Sequence, residues 1–174
     1  MHLVMLPAVV TDADRAVVAR QLGREPRTLR GVAVRCPFGA PAVTEQSPYG
    51  ADGEPFPTTY YLTCRHLVAA VSRLEAAGGV ERWSEATRRD PALASSLAAG
   101  DDEQRNLRRE LADGATGTDG GASLEYGIGG SRRRGSLKCL HAHVAFALAL
   151  PGYELGERIL AEVEQPWPDR CCSR

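Results

Sequence analysis

No apolar stretch in this chain approaches the roughly 18–20 residues that a membrane-spanning helix needs, so no membrane partner is expected. The start, Met1-His2-Leu3-Val4-Met5-Leu6-Pro7, is apolar but short and lacks a basic flank, so it does not read as a secretory leader. Charge of one sign is also missing. Twenty-one basic against 22 acidic residues leave a net charge of −1 at pH 7, which excludes a broad basic field for a nucleic-acid duplex. Lysine is almost absent: Lys138, beside Cys139, stands alone, and every other cationic side chain except histidine is arginine. The five cysteines are odd in number and contain no C-x-x-C pair, so neither a complete disulfide framework nor a zinc ribbon is indicated. The expected compartment is the cytoplasm, where thiols stay reduced. GxxxxGK[ST] is missing, which removes a Walker-type nucleotide site.

What is present fits one small α+β domain over residues 1–165, with a frayed tail over 166–174. Thr11, with Asp12 and Asp14 behind it, predicts the cap of a first helix that stops near Gly23. Short β-branched runs predict strands at Val32–Cys36, at Ala42–Thr44 and, most strongly, at Thr58–Thr63. The Pro/Gly-rich stretch from Ser47 to Pro57 is a loop. Helical spacing of Leu67, Ala70, Val71 and Leu74 predicts a helix from Thr63 or Cys64 to Gly78. Residues 80–111 read as helix in pieces, interrupted at Asp90-Pro91 by a cap and an N1 proline. A Gly-rich segment covers Ala112–Ser136, and helices follow over Leu137–Leu150 and Tyr153–Gln165, giving five or six helices and a few short strands.

Cys36, Cys64 and Cys139 each fall at a predicted junction: strand to turn, strand to helix, loop to helix. Thiolates at junctions can converge, and with a histidine they form the donor set of a closed zinc site. His141 and His143 both compete for the fourth position. On a regular helix Cys139 and His143 share a face, whereas Cys139 and His141 diverge unless the helix begins only at Leu140 or His141. An iron–sulfur cluster would use the same thiolates. The same residues also fit a reactive thiol or ordinary core packing. His66 reads as lying on the outer face of its helix, and Cys171 and Cys172 as incidental.

Tyr126-Gly127-Ile128-Gly129-Gly130-Ser131-Arg132-Arg133-Arg134 leads into the Cys139 helix. Glycine amides at Gly127, Gly129 and Gly130, a following helix start, and guanidinium forks on Arg132, Arg133 and Arg134 together predict an anion site for phosphate or polyphosphate. The alternative is a solvated connector.

Gln21-Leu22-Gly23-Arg24, Arg35-Cys36, the Gly53–Cys64 stretch, Ser72-Arg73-Leu74-Glu75, Gly127-Ile128-Gly129-Gly130 and Lys138-Cys139-Leu140-His141-Ala142 occur in this order. In that order they resemble a bacterial family known only as domain of unknown function five hundred and one. The resemblance covers roughly residues 14–165. It implies a small cytosolic protein, with genes for a septum-formation initiator and an exopolyphosphatase among the frequent neighbours of its own. It supplies no activity or catalytic residue. It favours His141 over His143, has Arg65 where proline is expected, and marks Ala115–Gly121 as an insertion to be discounted for function.

Two function classes therefore stand. In the first, Cys36, Cys64, Cys139 and His141 staple a zinc-bound binding or regulatory module whose Gly/Arg loop takes an anionic partner. In the second, Cys36, Cys139 or a metal serves an enzyme acting on a phosphorylated or polyanionic small molecule. No carboxylate is tied to the cysteine motifs, which leaves His143, Asp52 and Glu54 as candidate bases. Four protein ligands favour the first class, and three ligands with an open position favour the second.

Overall fold

A computed structural model describes residues 8–172; the apolar start at 1–7 and the last two residues of the tail lie outside the described range. The described residues form four strands, β1 (Ala8–Val9), β2 (Leu29–Arg35), β3 (Pro41–Gln46) and β4 (Tyr60–Leu62). Six helices accompany them: α1 (Asp12–Leu22), α2 (Arg65–Ala76), α3 (Gly79–Arg89), α4 (Pro91–Ala112), α5 (Leu140–Ala149) and α6 (Glu154–Leu160). The strands make one antiparallel sheet in the order β1-β2-β3-β4, so the predicted α+β class holds. The β3–β4 register pairs Val43 with Leu62 and Glu45 with Tyr60.

Local chemistry sets most element ends. Thr11 and Asp14 form a reciprocal capping box at α1, and Asp14 then receives both Arg35 terminal nitrogens at 2.7 and 2.8 Å, tying α1 to the end of β2. Asp90 accepts from the Ala92 amide at 2.9 Å, with Pro91 at the first helical position, so the predicted break between α3 and α4 is where it was expected.

The core is centred on α5. Leu140, Ala142, His143, Val144, Ala145, Phe146 and Ala147 are all buried, as expected of a helix apolar on every side. It packs against β4, α2 and α6. Every position of β3 is buried, because α1 and α5 both pack against it.

Two expectations shift. α6 ends at Leu160 rather than Gln165. The following segment is docked: Glu162 receives Arg82 at 2.6 and 2.7 Å, the His66 ring Nε2–H donates to the Gln165 carbonyl at 2.6 Å, and Trp167 and Cys172 pack on the core. The Ala115–Gly121 stretch is also integrated. Thr118 donates its amide to Gly53, and Asp119 takes the Tyr49 hydroxyl at 3.1 Å and the Ser123 amide at 2.8 Å.

Candidate metal centre

The start of α5 decides which histidine meets Cys139. The helix begins at Leu140, and Cys139 caps it in an extended conformation (φ −156°, ψ 122°). A capping residue does not follow the helical face rule, so Cys139 and His141 meet and His143 turns inward. The third member comes from α2. Val68, Ser72 and Glu75 lie at i, i+4 and i+7 on one face of that helix, which faces the beginning of α5.

His141 bridges the two helices. Its Nδ1 lies 3.7 Å from the Cys139 sulfur and 3.2 Å from Glu75 Oε1. Its Nε2 lies 3.1 Å from the Val68 carbonyl and 3.2 Å from Ser72 Oγ. Glu75 Oε1 also accepts the Leu140 amide at 2.6 Å, which fixes the carboxylate. Among the described residues, Glu75, Cys139 and His141 form the sole group of three or more such side chains whose donor atoms lie within 4.8 Å of one another. All three are half-buried, so solvent reaches the group.

The hydrogen bonds settle where the proton is. A carbonyl only accepts, so Nε2 carries hydrogen and donates to Val68. Nδ1 then turns its lone pair toward a carboxylate oxygen and a thiol sulfur. The carboxylate oxygen repels that lone pair, and a cation on Nδ1, either a proton or a metal ion, relieves the repulsion and draws in the sulfur as well. Burial alone would lower the His141 pKa. The Cys139 sulfur, the Glu75 charge and the Val68 carbonyl outweigh burial and hold it at about 9.

The expected four-ligand shell of Cys36, Cys64, Cys139 and His141 is not assembled; two of its members meet, and a carboxylate joins them. Glu75 lies eleven residues along α2 from Cys64, about 16 Å of helix rise, so the two residues serve opposite ends of the helix. Cys36 follows β2 and Cys64 follows β4, two strand spacings apart, about 10 Å, on either side of β3. The Cys64 sulfur faces Cys172 at 3.7 Å, and burial and this neighbour push its pKa up to about 11. His143 is fully buried, with Nδ1 2.7 Å from the Tyr153 hydroxyl, and is a core residue. Asp52 spends Oδ1 on the Glu54 amide within its own turn.

The Gly-rich loop meets the thiol but turns its amides inward. A Cβ built on Gly129, whose φ is +70°, would stand 3.7 Å from the Cys139 Cβ and 3.2 Å from that of Ala142, so the loop underlies the start of α5. The Gly127 amide donates to Ser131 O, that of Ile128 to Asp101 Oδ1 at 2.9 Å, and that of Gly130 to Gly127 O. A Cβ on Gly127 would fall 2.3 Å from Asp101 Oδ1, so glycine is required there by close approach. The carboxylate of Asp101 thus occupies the loop, and the amides of Gly127 and Gly130 are not open to an external anion. The arginine side chains remain outside: Arg132 lies over the Tyr126 ring at 5.1 Å, Arg134 is 3.8 Å from Asp102, and Arg133 is exposed.

The family model described as "Protein of unknown function (DUF501)" matches residues 32–161, about three quarters of the chain. The chain belongs to that family. The DUF501 match encloses Glu75, Cys139 and His141 as well as Cys36 and Cys64, and stops short of Cys171 and Cys172. Among curated proteins and among solved structures, none matches the chain. In the linear sequence Glu75 stands 64 positions before Cys139 and figures only as part of the Ser72-Arg73-Leu74-Glu75 family motif, not as a ligand. The available signal was its place on one helical face with Val68 and Ser72.

Proposed function

We propose that this DUF501 protein binds one divalent transition metal, zinc by the chemistry of its donors, through Glu75, Cys139 and His141. The fourth position then receives an anionic oxygen ligand from a phosphorylated or polyanionic small molecule. The observation that carries the reading is the spacing of the donor atoms. Bonds of about 2.3 Å to sulfur and about 2.1 Å to nitrogen and oxygen put neighbouring ligands of a tetrahedral zinc about 3.3–3.6 Å apart. Nδ1 stands 3.7 Å from the sulfur and 3.2 Å from the carboxylate.

The outer contacts support it as well. A ligating histidine donates its other ring N–H to a carbonyl, as His141 does to Val68, and a ligating carboxylate is itself hydrogen-bonded, as Glu75 is by Leu140. Three protein ligands in a half-exposed group favour an exchangeable position over a closed staple. One thiolate falls short of the four that an iron–sulfur cluster takes. The exposed Arg132, Arg133, Arg134 and Lys138 concentrate positive charge on the segment entering Cys139, which favours an anionic partner. We place this chemistry in the cytoplasm, where Cys139 stays reduced. No helix among the described residues is long and apolar enough to cross a membrane.

Untagged protein should carry close to one zinc per chain by elemental analysis. Glu75→Gln, Cys139→Ser and His141→Ala should each lose it, and Cys36→Ser should keep it. Wild-type protein that is free of metal and takes up none from micromolar zinc overturns the reading. Short polyphosphate at low salt should bind the loaded protein at least about tenfold more weakly after replacement of Arg132, Arg133 and Arg134 by alanine.

A second reading has its own observation. With a proton in place of the metal, the His141 imidazolium beside Cys139 stabilises a thiolate nucleophile. Iodoacetamide separates the two: metal-free protein that alkylates rapidly at Cys139, unprotected by added zinc, favours the thiol.

A further inference from the structure

Cys64 and Cys172 are 108 positions apart in sequence, yet their sulfurs stand 3.7 Å from one another. The approach is held by three other contacts of the same segment. Arg82 grips Glu162, His66 donates to the Gln165 carbonyl, and Trp167 packs on the core. Cys64 is the cap of α2 and nearly fully buried, while Cys172 is half-buried and reachable from solvent. Neither belongs to the Glu75–Cys139–His141 group.

We infer that Cys64 and Cys172 are a site of oxidative cross-linking, in which hydrogen peroxide joins the C-terminal segment to the start of α2. The accessible Cys172 thiol reacts first: its sulfur takes one peroxide oxygen, the O–O bond breaks, and Cys172 sulfenic acid and water form. The Cys64 sulfur then attacks the sulfenic sulfur, and its proton leaves with the hydroxyl as a second water. Two thiols are oxidised, one peroxide is reduced, and the chain is closed into a loop. Burial keeps Cys64 protonated and away from the oxidant, so the first oxidation falls on Cys172, and Cys64 gives up its proton only as it attacks the sulfenic sulfur 3.7 Å away. Closing so long a loop restricts the unfolded chain far more than the folded one, so the oxidised protein should melt higher. The vicinal Cys171 is a poorer partner for Cys172, because a disulfide between neighbours closes a strained ring.

The test is peptide mapping of the whole protein after a modest excess of hydrogen peroxide. Intact mass should fall by two hydrogens, with a Cys64–Cys172 linked peptide and with Cys36 unmodified. The melting temperature should rise by roughly 5–10 °C, reversibly on reduction. Cys171→Ser should behave like the wild type. Cys172→Ser, at the half-buried edge of the core, should show neither the link nor the shift on peroxide treatment. A map containing only a Cys171–Cys172 link, a disulfide-joined dimer, or Cys64 and Cys172 both unlinked overturns the inference.

Discussion

Two histidines two positions apart on α5 are displaced in opposite directions. His143 is buried with Nε2 unpartnered among the described residues, and burial pulls its pKa down to about 4. A group depressed below its unfolded value of about 6.5 contributes stability above that value and loses it as pH falls toward 4. His141 is raised to about 9, so its contribution is complete below about 6.5 and is lost as pH rises through 9. The metal-free protein should therefore be most stable near pH 6.5, with each limb worth about 3 kcal/mol at full titration. Asp14, held low chiefly by its Arg35 hydrogen bonds, adds its own loss only below about 3.8. Urea unfolding in excess chelator checks this. His143→Phe should flatten the acid limb and His141→Ala the alkaline limb. A profile that neither substitution changes would show that these rings do not set it. Tyr153→Phe leaves His143 without its hydroxyl partner and should cost about 1–3 kcal/mol at pH 7.

At the scale of elements, the features legible in the sequence are those made by neighbours along the chain. The Thr11 cap, the Asp90-Pro91 break and the strand ahead of Cys64 all stand close to where local rules put them. Asp90→Ala should accordingly cost about 1 kcal/mol in urea unfolding, through one lost cap on the longest helix. What the sequence left open turned on a single helix boundary. Helical spacing alone could not say whether α5 starts at Leu137 or Leu140, and three residues of difference exchange His143 for His141 at the thiol. Glu75 was hidden for a different reason. A carboxylate on an amphipathic helix looks like solvated surface until the partner helix is placed, and that placement depends on α5 being buried all round.

Across the whole molecule, the least legible part was the long glycine-rich segment between α4 and α5, which composition presents as a loose connector. One side chain ties it to a distant loop. Arg108 on α4 is fully buried, and it donates from Nε to the Ser123 carbonyl at 2.9 Å and from Nη1 to the Phe56 carbonyl at 2.9 Å. It thereby joins the Pro-rich loop after β3 to the segment after α4, two stretches far apart in sequence. Tyr49 and Asp119 close the same junction from outside, with Gly117 packed under the Tyr49 ring. A guanidinium satisfied by carbonyl oxygens is desolvated without a carboxylate in contact, so burial lowers its pKa while it remains charged. No local pattern announces such a residue, because an arginine in a helix with many arginines reads as surface. Removing it leaves the Phe56 carbonyl without its donor, the Ser123 carbonyl with only the Tyr126 amide, and a hole at the junction. Arg108→Met should destabilise the protein by roughly 1–3 kcal/mol. Hydrogen exchange should locate the damage. Amides of residues 47–57 and 115–127 should lose protection first, while α5 and β3 keep theirs until global unfolding. Leu97→Ala, a cavity in the main core, should instead lower protection everywhere. If Arg108→Met loosens α5 and β3 as much as the two loops, the guanidinium is part of the general core and not the clasp between them.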